Sequence, residues 1–141
     1  MNRKKLFIRF ALLIFFIFII NSLALWLHWY SLLLWLDIPM HFLGGFWLSL
    51  VFIWLFTLKE REISETLLDK RNFKFIAQVL FGVLIVGIMW EIFEILVNKS
   101  ITKNLFDVLD TFSDIVLDLL GGLSALFYFL KRIMYKKENL V

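Results

Sequence analysis

The sequence predicts an all-α integral membrane protein, a four-helix bundle with both termini in the cytoplasm. The first observation is composition: 62% of the 141 residues are hydrophobic, whereas in an ordinary soluble domain the apolar share is nearer half. The second is that four segments each supply the roughly 20 apolar residues that a bilayer crossing needs. The third is that Lys and Arg concentrate at the ends of these segments.

The predicted spans cover about residues 6–27, 38–58, 75–97 and 112–130, and they form one multi-pass domain over residues 1–141. The first span follows the basic start Asn2-Arg3-Lys4-Lys5 and resembles a signal peptide. However, its apolar run is longer than that of a signal peptide, and no small-x-small cleavage site follows. We therefore expect it to be retained.

Two connections carry patterns of their own. Residues 29–36 are too few to span and are predicted to lie at the interface or to re-enter the membrane. Their aromatic neighbours are typical of the belt at headgroup depth, and His28 is interpreted as a further belt residue. Residues 60–72 are charged, with apolar side chains at helical spacing, which predicts either an amphipathic helix on the inner leaflet or a solvated loop. The belt aromatics are Trp26, Trp29, Tyr30 and Trp35.

Charge distribution predicts the orientation. Of the 15 Lys and Arg, only Lys99 and Lys103 belong to the third connection, and the first connection has none. The other thirteen belong to the termini and the middle connection, so the positive-inside rule places those regions in the cytoplasm of a cell-membrane protein. These residues meet lipid headgroups, and a nucleic-acid partner is not expected. The chain has no cysteine, which excludes disulfides and thiolate chemistry.

Seven ionisable side chains interrupt the apolar pattern, and the predicted topology brings all seven to the outer half of the bilayer. On each helix they are three or four residues apart, so each set shares one helix face, which should turn inward because lipid does not accept charge. Glycine pairs at 44–45 and 121–122 follow them and should let these backbones approach closely. We call these seven the polar cluster: Asp37, His41, Glu91, Glu94, Asp110, Asp114 and Asp118.

The cluster needs compensation, because an ionised carboxylate at the centre of a bilayer costs roughly 2.5–3.5 kcal/mol. Lys99 and Lys103 are the nearby cations in sequence. Three sources of compensation stay open: protons shared among the carboxyls, a cationic or hydrogen-bonding substrate, or a metal ion. Oxygen ligands with one imidazole suit Mg²⁺, Mn²⁺ or Zn²⁺.

The residues of the polar cluster also have purely structural interpretations. Asp37 precedes Pro39 and resembles a helix N-cap, and Asp110 or Thr111 resembles a cap of the fourth span, which would leave Asp37 and Asp110 as cap or rim residues. Glu94 is close enough to the end of its span to be solvated. His41, Glu91, Asp114 and Asp118 could instead only hydrogen-bond between helices.

Three motifs resemble the VanZ-like membrane proteins. They are Asp37-Ile-Pro-Met-His41-Phe42, Trp90-Glu91-Ile-Phe-Glu94, and a third from Asp110 through Asp114 and Asp118 to Gly121. Glu94 stands where that family typically has glutamine, Asp118 where it has asparagine, and its usual upstream arginine has no counterpart. The Trp-Glu-x-x-Glu and Asp-Thr-x-x-Asp forms are closer to the YjdF-like relatives. The resemblance covers about residues 37–125.

The resemblance implies that these His, Glu and Asp positions form the defining site of the family. The departures argue against the glycopeptide resistance for which VanZ-like proteins are named. Our leading hypothesis is an outward-facing site that acts on an envelope lipid or lipid-linked substrate. In its enzymatic form His41, Glu91 and Asp114 are catalytic, and the ligands of a divalent metal come from the set His41, Glu91, Glu94, Asp114 and Asp118.

Two alternatives belong to other classes. The carboxylates could form a proton or cation relay in a transporter, although four helices leave little room for alternating access unless the chain forms a homo-oligomer. The chain could also be a non-catalytic membrane adaptor whose polar cluster only locks the helices together. The sequence does not select among the three.

Overall fold

Four long helices form where the sequence is apolar, and a computed structural model describes residues 3–57, 72–101 and 108–138. The predicted helix in the connection 60–72 lies outside these ranges apart from Asn72. Between the first two long helices lie a short helix and a 3-10 turn at Leu34–Leu36. The helices are α1 (Arg3–Trp26), α2 (Trp29–Leu32), α3 (Asp37–Phe56), α4 (Asn72–Ile101) and α5 (Val108–Glu138).

The predicted four spans are confirmed by length and composition. The apolar segments that could cross a membrane are Lys4–Trp26, Asp37–Phe56, Phe73–Val97 and Val108–Lys131. They differ from the predicted boundaries most at the start of α5, which begins four residues before the predicted span. The helix continues through Asp110, in its first turn, because a carboxylate there is compatible with the helix dipole.

Helix α3 lies at the centre of the bundle, where it packs against α1, α4 and most extensively α5. Helix α4 also packs against α5. Helix α1 is the least buried of the four spans and makes polar contacts with α3 and α5. The Trp47 indole donates a 2.9 Å hydrogen bond to the Phe10 carbonyl, and the Arg9 guanidinium donates one of 2.9 Å to the Tyr128 hydroxyl.

The connection from α1 to α3 is short and ordered. His28 adopts a left-handed conformation with φ of 55°, which turns the chain from α1 into α2. Trp26 and Trp35 are exposed, which is compatible with the predicted aromatic belt. Because α2 has four residues, this connection cannot span a bilayer.

Apolar contacts dominate one end of the bundle. The core there comes from the start of α1 and α4 and from the later turns of α3 and α5. Its position leaves the opposite end of the same helices to the polar residues. The buried core residues are Leu6, Phe10, Leu50, Ile53, Val79, Ala125, Leu126 and Phe129.

The closest approach in the bundle joins α3 and α5 through two glycines. A Cβ atom added at Gly45 would lie 2.0 Å from the Asp118 carbonyl oxygen, and one at Gly121 would lie 2.0 Å from the Phe42 carbonyl oxygen. Neither position therefore accepts a side chain at this helix separation. The predicted role of the glycine pairs is confirmed, and at this crossing it falls on Gly45 and Gly121.

We expect Gly45→Ala to lower the thermal unfolding midpoint of the detergent-purified protein, because the added methyl group would force α3 and α5 apart. Overpacking of this kind typically costs about 1–3 kcal/mol. Gly44→Ala is the matched control, since its Cβ would lie 3.9 Å from Asp118 Oδ1, an ordinary contact. Equal midpoints for the two variants would contradict the assignment of the crossing to Gly45.

Candidate functional site

Four members of the polar cluster are buried side by side at the end of the bundle opposite the apolar core. His41 comes from α3, Glu91 from α4, and Asp114 and Asp118 from α5, and each is 4–6% exposed. Full burial of ionisable side chains is rare unless they are paired or functional. We call them the buried four. The prediction that three helices turn these residues inward is confirmed.

The depth of the site follows from helix geometry. His41 lies four residues from the start of the α3 span, and Glu91 and Asp114 each lie six residues from the nearer end of their spans. At a rise of 1.5 Å per residue, these positions are about 6–9 Å from the span ends. Asp118 lies ten residues from its span end, about 15 Å by the same measure. Three of the buried four therefore lie within two turns of the ends of their spans, and Asp118 lies one turn further along α5.

His41 is the centre of the site, and its two ring nitrogens face different partners. Nε2 lies 3.7 Å from Asp37 Oδ1 and 3.9 Å from Asp114 Oδ2. Nδ1 lies 3.5 Å from Asp118 Oδ1. Asp37 reaches the ring from one turn away on α3, whereas Asp114 and Asp118 reach it from successive turns of α5. One imidazole thus contacts three carboxylates.

Ligand atoms converge in two groups that share His41. In one group the atoms of Asp37, His41 and Asp114 all lie within 4.8 Å of one another, and in the other those of His41, Glu91 and Glu94 do. Asp118 belongs to neither group, which separates it from the other predicted metal ligands. Each group presents one imidazole nitrogen and two carboxylate oxygens to a small volume.

Glu91 supplies a polar atom that no described residue satisfies. Within residues 3–57, 72–101 and 108–138, its buried Oε1 has no hydrogen-bond partner, while the Thr111 hydroxyl hydrogen-bonds to the same carboxyl group. An unsatisfied buried polar atom costs about 1–3 kcal/mol, and more for a charged group. This cost favours a proton, a water molecule or a cation at Oε1.

Asp118 occupies a space that glycines create. A Cβ at Gly87 would lie 2.8 Å from Asp118 Oδ2, and one at Gly44 would lie 3.9 Å from Oδ1. Gly45 lies against the Asp118 backbone. Helices α3 and α4 therefore surround this carboxyl group with glycine, which lets it lie deep in the bundle.

Asp37 and Asp110, predicted as cap or rim residues, both lie inside their helices. The N-cap of α3 is Leu36, without a side-chain capping bond, because the preceding 3-10 turn runs directly into the helix. Asp37 is the first helical residue and turns to His41. Asp110 is the third residue of α5, is exposed, and lies at the rim. Thr111 is likewise not a cap and instead contacts Glu91.

Tyr30 and Asn21 approach the site and were missed by the sequence reasoning. The Tyr30 hydroxyl, on α2, donates a hydrogen bond to Asn21 Oδ1 on α1. Burial and the negative charges of Asp37 and Glu94 raise the pKa of Tyr30 above its usual value, so the phenol stays protonated and remains a donor. Tyr30 was interpreted only as a belt aromatic, although the amide of Asn21 inside a predicted span was a usable signal.

Comparison with known proteins identifies one family. The chain matches the family described as predicted membrane protein DUF2238 over residues 2–134, a range that includes all four spans and the whole polar cluster. No curated protein matches the chain. No solved structure matches it either.

Proposed function

We propose that this chain, which belongs to the DUF2238 family of predicted membrane proteins, binds a divalent cation in its polar cluster and acts on a phosphate-bearing lipid or lipid-linked substrate. The site would face the outside of the cell membrane. The observation that carries the proposal is the buried Oε1 of Glu91, which has no hydrogen-bond partner in the described part of the chain and whose carboxyl group lies beside His41 and Glu94.

Charge supports a cation. The cluster has six carboxyl groups and one imidazole, so a protonated His41 could balance only one ionised carboxylate. Charges in a low-dielectric setting interact strongly and are poorly screened. A divalent ion would relieve the mutual repulsion of several carboxylates at once.

The distances support a small ion with bonds of about 2.0–2.2 Å. Two ligands at that bond length are about 3.0–3.5 Å apart in octahedral or tetrahedral geometry. His41 Nε2 is 3.7 Å from Asp37 and 3.9 Å from Asp114, so shifts of less than an ångström would bring these atoms to ligand spacing. Mn²⁺ and Zn²⁺ fit better than Mg²⁺, because imidazole is a poor match for the hardest ions.

Depth supports an amphiphilic substrate. The site lies about 6–9 Å from the span ends, close to the boundary between headgroups and hydrocarbon. Asp37 is half-buried and Asp110 is exposed, which makes an acidic rim around the buried four. A phosphate group at this depth would meet the cation, and Glu91 or His41 would be available to take a proton from water.

The resemblance to VanZ-like and YjdF-like proteins supports the same residues as members of the site. The positions of their motifs correspond to Asp37, His41, Glu91, Glu94, Asp114 and Asp118. It supplies no substrate. The phosphate class therefore rests on the chemistry of a carboxylate-bound divalent cation, which neutralises phosphoryl oxygens. The outward orientation rests on the distribution of Lys and Arg.

A transporter is less well supported. A relay needs titratable or hydrogen-bonding groups across the whole bilayer. Below Asp118, the buried polar side chains of the described residues are Ser49 and Thr57, and Thr57 donates its hydroxyl to the Ile53 carbonyl. Apolar core residues fill the remaining interior in that half.

The adaptor alternative has one observation in its favour. His41 joins α3 to α5 through Asp114 and Asp118, so the cluster holds helices together whatever else it does. In that case neutralising a carboxylate would change stability and leave metal content unaffected. Metal content therefore separates the metal site from the adaptor.

Metal content tests the proposal directly. We expect protein purified from cells supplied with Mn²⁺ and Zn²⁺ to retain a stoichiometric ion by elemental mass spectrometry. Asp114→Asn and Glu91→Gln should lose it, because each removes a buried ligand charge. Asp110→Asn is the matched control on the exposed rim and should keep the ion. Wild-type protein without an ion would instead indicate carboxyls that share protons, and retention in both buried variants would favour the adaptor.

Substrate class can be tested with short-chain lipids. We expect dioctanoyl phosphatidic acid to raise the thermal midpoint of Mn²⁺-loaded protein, because a ligand that binds only the folded state stabilises it. Dioctanoylglycerol, which has the same chains and no phosphate, should not. A shift that persists after chelation or in Asp114→Asn would show phosphate binding elsewhere and contradict this part of the proposal.

Orientation can be tested because the chain has no cysteine. Asn104→Cys in the third connection should react with a membrane-impermeant maleimide in intact cells, since that connection is predicted to lie outside. Ser64→Cys in the middle connection should react only after permeabilisation. The reverse pattern would place the polar cluster at the cytoplasmic face.

A further inference from the structure

We infer that Asp118 is a positioning residue: its carboxylate holds Nδ1–H of His41, so that Nε2 faces the site where the cation would bind. This inference deepens the proposed function and rests on it for its consequence, the binding of the ion. Asp118 would therefore lie outside the ligand set, although its residue type and its place in the ladder of α5 suggest a ligand.

The two ring nitrogens of His41 lie next to different carboxylates. On the Nε2 side are Asp37 and Asp114, which form one of the two groups of converging ligand atoms. On the Nδ1 side is Asp118, at 3.5 Å, the shortest of the three distances. Asp118 is absent from both ligand groups among the residues described. The ring thus separates this carboxylate from the others.

The environment of Asp118 supports a fixed acceptor. The side chain is 5% exposed, and Gly44 and Gly87 lie against its two oxygens. A Cβ at Gly87 would come within 2.8 Å of Oδ2, so a side chain at that position would push against the carboxylate. The backbone of Asp118 also forms the close crossing with Gly45. The closest contact between α3 and α5 therefore supports the group that would orient His41.

The chemical consequence concerns the tautomer of His41. A neutral imidazole carries one proton, and the hydrogen bond at one nitrogen decides whether the other can bind a metal. An acceptor at Nδ1 leaves the lone pair on Nε2, and such partners typically change metal affinity 10- to 100-fold when they are removed. Asp114 and Asp118 would then differ in role although they are one turn apart: Asp114 contacts the ion and Asp118 aligns the ring.

The wild-type protein provides the first test, by ¹⁵N NMR of histidine-labelled protein. The chain has two histidines, and a His28→Asn variant identifies the signals of His41. We expect a slowly exchanging Nδ1–H of His41, and in Zn²⁺-loaded protein a proton on Nδ1 with none on Nε2. A neutral ring protonated only at Nε2, or zinc bound through Nδ1, would overturn the inference without any variant having to fold.

Three variants then distinguish a residue that orients the His41 ring from a residue that binds the ion. Asp118→Ala removes the acceptor and should abolish the protected Nδ1–H signal and weaken Zn²⁺ binding 10- to 100-fold. Asp118→Asn keeps a carbonyl acceptor and should preserve the Nδ1–H signal. Asp114→Ala should keep that signal but lose the ion. An Nδ1–H signal unchanged by Asp118→Ala would contradict the role of Asp118.

The two proposals can fail separately. If wild-type protein binds no Zn²⁺, the proposed function fails, while the Nδ1–H signal and its response to Asp118→Ala still decide whether Asp118 holds the ring. If wild-type protein binds Zn²⁺ and Asp118→Ala binds it equally well, the proposed function stands and the positioning role of Asp118 is overturned.

Discussion

The close crossing of α3 and α5 is the contact on which the rest of the structure depends. Gly45 and Gly121 each face a carbonyl oxygen of the opposite helix at a distance that excludes a side chain. In a membrane, helices associate through close packing and polar contacts, because lipid tails are as apolar as the helix surfaces. The crossing lies within one turn of His41 and Asp118, so the same contact that joins the helices sets the depth and spacing of the polar cluster.

Helices α3 and α5 each have an apolar half and a polar half. Leu50 and Ile53 on α3 and Ala125 and Phe129 on α5 pack in the apolar half, where dispersion contacts hold the bundle. His41 and Asp118 lie in the other half of the same two helices. Because the apolar half holds the bundle together, the polar half can contain groups that repel one another, such as neighbouring carboxylates.

Sequence reasoning predicted what depends on periodicity and missed what depends on three-dimensional detail. Spacing of four residues predicted that His41, Asp114 and Asp118 turn inward, because a helix has a fixed repeat. It could not assign Asp118 to Nδ1 and Asp114 to Nε2, since that depends on the rotation of the helices about their axes. Asp37 resembled a cap because Pro39 follows it, but the 3-10 turn at Leu34–Leu36 supplied a different entry to α3. Tyr30 lies near Asp37 and Glu94 only because α2 folds back toward the bundle.

A single imidazole among six carboxyl groups limits what the site can contain. If every carboxyl group held a proton, the cluster would be neutral but His41 would lack a charged partner. If most were ionised, the three buried carboxylates of Glu91, Asp114 and Asp118 would repel one another at distances where the surroundings screen little. The states between these extremes need a positive charge among the carboxylates around His41, supplied by a proton or by a cation. His41 belongs to both groups of converging ligand atoms, one with carboxylates of α3 and α5 and the other with carboxylates of α4. A cation bound in either group would therefore join two helices as well as balance charge.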